Sequence, residues 1–466
     1  MTAAWKLDTT PSLRARTAAA VDDRQLAART ARAVDRFAGH RAGGLAELDD
    51  ADALRHAARA TRQAVLADLP ELAERFAANV VARGGHVHWA ASATSARDHV
   101  VDICRRHAAR TIVKSKSMAT EEIALNEALE AAAMEVVETD LGEWIIQLAR
   151  EHPSHIIAPA IHHDRVSIAA LFAAHGRTEQ GDDPEQLNAY ARAQLRTKFL
   201  AADVGISGAN LGVAETGTVV LVSNEGNARL STSLPRVHVV VVGLERLVAD
   251  WSQADLLLTL LVRSATGQRL SSYTSFVTGP SPDDGGPEEL HVVLLDAGRT
   301  DLLGTGDHEM LGCIRCGACL NACPVYRQVG GHAYGWVYPG PMGAVLTPLL
   351  ATDREGAADL PKASTLCGAC MDACPVEIPL QDLLLAGRRR RVDAGDASTG
   401  EAAAWRAWAA AWSRPSAYRA TTKAAGWSRF LGRHLASLPG AGRWAHGRAV
   451  PAPAARRFRD SWPIDG

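Results

Sequence analysis

The chain has 466 residues, of which 47% are hydrophobic and 22% charged, with a formal charge of −2 and eight cysteines. That length suits about three domains at roughly 100 to 200 residues each, and the composition excludes a disordered or fibrous protein. The longest apolar runs, such as 254–262 and 237–242, fall far short of the roughly 18 residues of a membrane helix, and the opening MTAAWKLDTT lacks the charged start, apolar run and cleavage site of a signal peptide.

Residues 23–40, 51–69 and 71–82 are Ala/Arg/Leu-rich with apolar side chains at helical spacing. They predict an opening set of amphipathic helices, assigned to residues 1–69, covering a sheet. At His86 the pattern changes. HVHWA, RTIVK and EVVET are strand-like runs separated by helical stretches ending near His107 and spanning 120–133 and 141–150; such alternation predicts βαβ units and a parallel sheet. A helix over 184–200 leads to GTVVLV, VHVVVVG, SSYTSFVTG and ELHVVLL, β-branched and nearly all apolar, as strands covered on both faces must be. The polar, turn-rich stretch 279–289 reads as a loop between two of them. The fold class is α/β, with one α/β domain over 70–300. After Asp301 the strand signal ends and cysteines take over, marking a ferredoxin-like domain over 301–391. Residues 392–466 form an Ala/Arg/Trp-rich helical tail holding six of the eleven tryptophans. From Arg388 to Gly466 there are 15 Lys/Arg against 5 Asp/Glu, an asymmetry that suits a solvated face or docking to a partner or anionic membrane surface. No nucleic-acid module accompanies the charge.

Seven cysteines lie between Cys313 and Cys374 in CxxC spacing, which in a chain without a secretion signal reads as metal ligation in a reducing cytoplasm rather than as disulfides. CIRCGACLNACP places Cys313, Cys316, Cys319 and Cys323 in the CxxCxxCxxxCP run of two-cluster ferredoxins, whose fourth cysteine ligates the other cluster. The second run supplies Cys367, Cys370 and Cys374, with Ser364 where a first cysteine would stand. Crossed ligation gives one 4Fe–4S cluster Cys313, Cys316, Cys319 and Cys374, and leaves Cys323, Cys367 and Cys370 for the second. That second cluster is completed by Ser364, water or a partner, or is a three-iron cluster. Paired CxxC motifs also build zinc sites, but seven cysteines with two CxxxCP endings fit zinc poorly. Cys104 stands apart in a helical pattern and reads as a buried structural thiol. No GxGxxG or GxxxxGK[ST] occurs in the required context, so flavin and nicotinamide lack support. Clusters carry electrons singly, whereas oxidising a hydroxyl removes two with protons, so another group or a partner must share that chemistry.

IVKSKSMATEEIALNEAL (112–129), VVETDLGEWIIQL (136–148), HIIAPAIH (155–162), GANLGVAETGTVVLVSNEGN (208–227), CIRCGACLNACPVY (313–326), GGHAYGWVYPGPMGAVLTPLL (330–350) and CGACMDACPVEIPL (367–380) together resemble the lactate utilization protein B family over about residues 20 to 390. The resemblance implies an iron–sulfur electron-transfer subunit in cytoplasmic oxidation of L-lactate to pyruvate. It implies a complex with two sister proteins, one cysteine-rich and one made of the α/β (LUD) domain alone, and an α/β fold like that of sugar-phosphate isomerases and coenzyme A transferases. It also implies the crossed ligation above, with the missing first cysteine usual. The competing readings are a stand-alone isomerase or transferase with structural clusters, an iron–sulfur subunit for another 2-hydroxy acid such as glycolate, and a non-catalytic regulatory module.

Lactate is a small anion with a hydroxyl, so its site needs cations or amides and a base. Lys114, Lys116 and Ser117 follow a predicted strand and precede a helix, where open α/β sheets bind ligands; a solvated strand end would look alike. The glycine-rich run 208–217 offers Asn210, Glu215 and Thr216, and SNEGN adds Asn224 and Glu225, although an ordinary hairpin has similar composition. His155, His162 and His163 are candidates for a base or metal ligand. The resulting assignments are Glu215, His155 and Lys114 as catalytic, with Lys114, Lys116, Ser117, Asn210, Thr216 and Asn224 binding substrate. The 330–350 segment reads as cover for the clusters or a partner's docking face.

Overall fold

The computed structural model of the chain describes residues 11–351, 354–395, 399–427, 454 and 457–462. The opening decapeptide and most of the basic tail beyond 427 therefore lie outside the described residues. Two compact units divide after Arg389.

Among the described residues ten strands run through the first unit: β1 (His86–Ala90), β2 (Thr111–Lys114), β3 (Glu135–Glu138), β4 (Val204–Ser207), β5 (Leu211–Val213), β6 (Thr218–Ser223), β7 (Val237–Gly243), β8 (Leu247–Val248), β9 (Tyr273–Val277) and β10 (Glu289–Leu295). Six form a wholly parallel sheet in the order β1-β10-β7-β4-β2-β3. The β-branched residues of β7 and β10 pack well on a pleated surface, and every residue of β7 is buried. Because the strands are parallel, the ends of β2, β4, β7 and β10 emerge together at one edge, where such sheets bind ligands.

The remaining strands make a second sheet, β8-β5-β6-β9. β5 and β6 are an antiparallel hairpin turning at Gly217, whose φ of +71° and close approach to the backbone of Asn79 and Val80 leave no room for a Cβ. The late strand-like runs thus divide between two sheets rather than extending one. β9 is an exposed edge, with Phe276 54% and Tyr273 41% accessible, so cover on both faces holds for β7 and β10 and fails for β9.

The N-terminal helices do more than cover a sheet. Helix Arg24–Ala46 packs against helix Trp251–Thr266 and against the short helices Ala318–Ala322 and Pro324–Val329 of the cysteine segment. Buried Arg62, from helix Ala51–Ala67, donates to the carbonyls of Glu245, Leu247, Leu311 and Gly312 and so ties the β7–β8 turn to the start of the cysteine segment. One hydrophobic cluster runs from Val34 and Phe76 through Val240 to Leu320, Tyr334 and Leu384. In the second unit, Trp405, Trp408 and Trp412 of helix Thr399–Trp412 pack in series, edge to face and then tilted, with centroids 5.6 and 5.1 Å apart. No helix among the described residues is long and apolar enough to cross a membrane.

Candidate metal centres and the adjoining cavity

All eight cysteines are free thiols, and the seven clustered ones divide between two small cavities. Cys313, Cys316, Cys319 and Cys374 line the first, of about 20 Å³, among Ile156, Ile314, Met342 and Ile378. Cys323, Cys367 and Cys370 line the second, of about 10 Å³, together with Ser364. Gly317 (φ +78°) opens the helix that carries Cys319, with the His155 ring and Ile157 within 3.2 Å of where a Cβ would lie.

These residues fit iron–sulfur clusters. Burial and neighbouring thiols push Cys316 and Cys319 up, and Cys374 up to about 11, so these three thiols ionise together only around a strongly cationic core. Backbone N–H groups already point at the sulfurs: Arg315 to Cys313 Sγ at 3.4 Å, Tyr326 to Cys323 Sγ at 3.5 Å and Ile378 to Cys374 Sγ at 3.4 Å. Such donors set cluster potentials. Cys367 is exposed, and hydrogen bonds from Thr365 and the Ala369 amide hold its thiol below the usual range.

Next to the first cavity lies a larger one, of about 310 Å³, at the carboxyl edge of the parallel sheet. Lys116 and Ser117 reach it from β2, Gly208 and Asn210 from β4, Glu245 and Arg246 from β7, and Arg299 from beyond β10. The second sheet contributes Ser223, Asn224 and Glu225, while Ile314, Arg315 and Tyr338 close it from the cysteine segment. Local chemistry fixes these positions. Ser117 caps helix Met118–Glu122 through Thr120 N–H, and Asp140 caps helix Leu141–Ala149 through Glu143 N–H. Asn210 Oδ1 accepts Val222 N–H at 2.8 Å and bridges the β5–β6 hairpin.

The cavity is strongly polarised. Arg299 grips Glu122 bidentately at 2.9 Å and Glu245 at 2.5 Å, and Tyr338 Oη donates to Glu122 at 2.9 Å. Burial alone would raise Glu245, but Arg299, Arg246 and Arg315 bring it down to about 2. Burial holds Glu143 well above the carboxylate range, and burial with Asp140 nearby raises Glu225 to about 7.

Residues 73–295 match the LUD domain family, 309–378 the 4Fe-4S dicluster domain family, and 389–464 the lactate utilisation protein B C-terminal family. The chain is 48% identical over 389 residues to lactate utilization protein B of Shouchella clausii, covering 82% of each chain. To that of Bacillus licheniformis it is 45% identical over 92% of this chain and 91% of the relative, and to that of Bacillus subtilis 43% over 98% and 96%. The chain belongs to the lactate utilization protein B family. In this member of the family, a LUD-type α/β fold is followed by a 4Fe-4S dicluster domain.

Not every candidate residue reaches the cavity. Lys116, Ser117, Asn210 and Asn224 line it; Lys114, His155, Glu215 and Thr216 do not. Lys114, the last residue of β2, is fully buried and bound to Glu121 at 2.7 Å, Glu138 at 2.8 Å and Thr120 at 3.0 Å. Burial would lower its ammonium, yet Glu121 and Glu138 outweigh that and hold it above the usual range. Glu215 and Thr216 sit on the hairpin turn, where Glu215 is exposed and Thr216 Oγ1 pairs with Thr218. His155 has both nitrogens engaged: Nδ1 accepts from the amides of Ile157 and Ala158, and Nε2 donates to Asn321 at 3.1 Å. Burial lowers it to about 3, so it is a neutral prop between its loop and the helix of Cys319. His162 and His163 both bind Glu151, at 2.7 and 2.9 Å, away from the cavity. The residues sequence reasoning missed are Arg246, Arg299 and Arg315. Only Arg315 carried a signal, its place inside CIRC.

Proposed function

We propose that the chain holds two 4Fe–4S clusters in crossed ligation, one on Cys313, Cys316, Cys319 and Cys374 and one on Cys323, Cys367 and Cys370 with Ser364 beside the open position. It passes electrons in the cytoplasmic oxidation of L-lactate to pyruvate. The observation that carries this reading is the division of seven thiols from two distant loops between two separate cavities. Kinship with lactate utilization proteins supports a role in lactate utilization, and sister proteins of that system are the expected partners. When bound, each cluster takes and returns a single electron. The protein's own residues bury the first cluster among apolar side chains, direct three backbone N–H groups at ligand sulfurs, and leave Cys367 at the surface, which gives the second cluster an outlet toward a partner. The candidate substrate residues gathered at the large cavity, Lys116, Ser117, Asn210 and Asn224, make it the ligand site of the α/β part, with Glu225 poised near neutrality to accept the hydroxyl proton.

Two measurements test this. Cys374→Ser should remove one of two dithionite-reducible EPR signals while sparing the other, and roughly halve bound iron from about eight per chain; loss of neither or both by a folded variant contradicts crossed ligation. L-lactate should reduce the clusters when the sister proteins are present, and substrate turnover with no change in cluster oxidation would refute electron transfer.

A further inference from the structure

The α/β cavity and the first cysteine cavity share a wall, since Ile156 and Ile314 line both. Arg315 follows directly and has φ +58°, a left-handed conformation that costs a non-glycine residue about 1 kcal/mol or more and persists only where surroundings enforce it. Its position does two things at once. Its backbone N–H donates to Cys313 Sγ at 3.4 Å, while its guanidinium lies 4.6 Å from the Tyr338 ring centroid and lines the cavity. Nη2 reaches Glu245 at 3.4 Å, and Nη1 is buried with no hydrogen-bond partner. Lys116 lines the same cavity and is in the same state: Nζ is buried without a hydrogen bond, its closest carboxylate oxygen being Glu143 Oε1 at 4.0 Å.

The neighbouring cations are committed. Arg299 serves Glu122 and Glu245, Arg246 donates to the Cys313 carbonyl at 2.6 Å, and Lys114 serves Glu121 and Glu138. Leaving a buried donor atom without an acceptor costs about 1 to 3 kcal/mol, so Arg315 Nη1 and Lys116 Nζ at one cavity mark a place for an anion. Arg presents a planar fork suited to carboxylate, and Lys a point charge.

We propose that this cavity binds a small 2-hydroxy or 2-oxo carboxylate with Arg315 and Lys116 as its cationic partners, and that Arg315 transmits occupancy to the cluster on Cys313. This rests on the iron–sulfur reading and the ligand cavity above, and adds the two cations that hold the anion and their route to the cluster. Seating a carboxylate on the guanidinium adjusts the residue whose amide bonds a ligand sulfur, and it brings a negative charge to the wall of the cluster cavity. Both act on the same cluster, and neither reaches the cluster of Cys323 directly.

The test uses the cluster-loaded full chain, oxygen-free and reduced with dithionite, titrated with pyruvate, a 2-oxo acid. Pyruvate should bind saturably by equilibrium dialysis and shift the EPR signal that Cys374→Ser removes, leaving the other unchanged. Arg315→Gln and Lys116→Met should each weaken binding about tenfold or more at unchanged iron content. Arg315→Lys, which keeps the charge on an equally flexible stem, should lose less and serves where the glutamine variant fails to fold. Binding indifferent to both substitutions, or a cluster signal that ignores saturating pyruvate, overturns the proposal. So does an equal response to inorganic phosphate, which would mark an unselective anion pocket. If the protein binds no clusters the iron–sulfur reading falls instead, so the two failures are distinct.

Discussion

At the residue scale, Glu225 shows how placement changes a side chain's chemistry. It follows a strand in a polar turn and accepts the first N–H of helix Leu141–Ala149, yet desolvation of its carboxyl, with Asp140 facing it, raises it to about 7 despite that bond and nearby Lys116. The sign follows from that direction. Folding raises the carboxyl above its ordinary 4.5, so the folded state holds the proton more tightly and stability falls as pH climbs from about 4.5 to 7. Above that window Glu225 adds a negative charge to the cavity beside Asp140, with Lys116 opposing. Pyruvate affinity should therefore drop about tenfold between pH 6 and 8, worth about 1.4 kcal/mol. Glu225→Gln should flatten that profile; dialysis at both pH values checks it, and an unchanged slope would remove Glu225 from the site. Lys116, Ser117, Asn210 and Asn224 were legible in the sequence because the rule for strand ends finds them locally. Arg246, Arg299 and Arg315 were not, because arginines 69 residues apart meet only through the tertiary fold.

At the element scale, the alternation of strand and helix forecast the parallel sheet, since each βαβ unit is a local pattern. The hairpin of β5 and β6 was weighed beside a ligand turn, but its place in a second sheet escaped because strands of three and six residues with apolar sequence look the same in either sheet; only the Gly217 turn against Asn79 and Val80 separates them. Lys114 and Lys116 are two residues apart, so strand alternation would put both on one face; β2 ends at Lys114, and the segment beyond it carries Lys116 to the cavity while Lys114 stays buried on Glu121 and Glu138. The spacing KSK does not show where the strand stops. Lys114→Met should leave Glu121 and Glu138 as buried carboxylates without their cation, and breaking such a set costs about 3–5 kcal/mol. Urea unfolding of the cluster-loaded protein measures it, and a loss under about 1 kcal/mol would show that the carboxylates relax into water or protonate freely.

At the scale of the whole molecule, the first unit welds two chemistries into one core. Helix Arg24–Ala46 touches both halves, Arg62 bonds carbonyls of both, and Tyr326 Oη donates to Ser154 across them at 2.6 Å. The large α/β cavity and the first thiol cavity consequently share side chains rather than facing each other across a hinge. The cysteine spacing announced the thiols, but their sorting into two groups depends on how residues 313–323 and 367–374 fold against each other. The most direct check is low-temperature EPR on oxygen-free full-length protein, with iron counted on the same sample. Two dithionite-reducible signals with about eight irons per chain are predicted for two cubanes. Colourless, spin-silent protein, or an iron count clearly below that, would contradict the paired-cluster account.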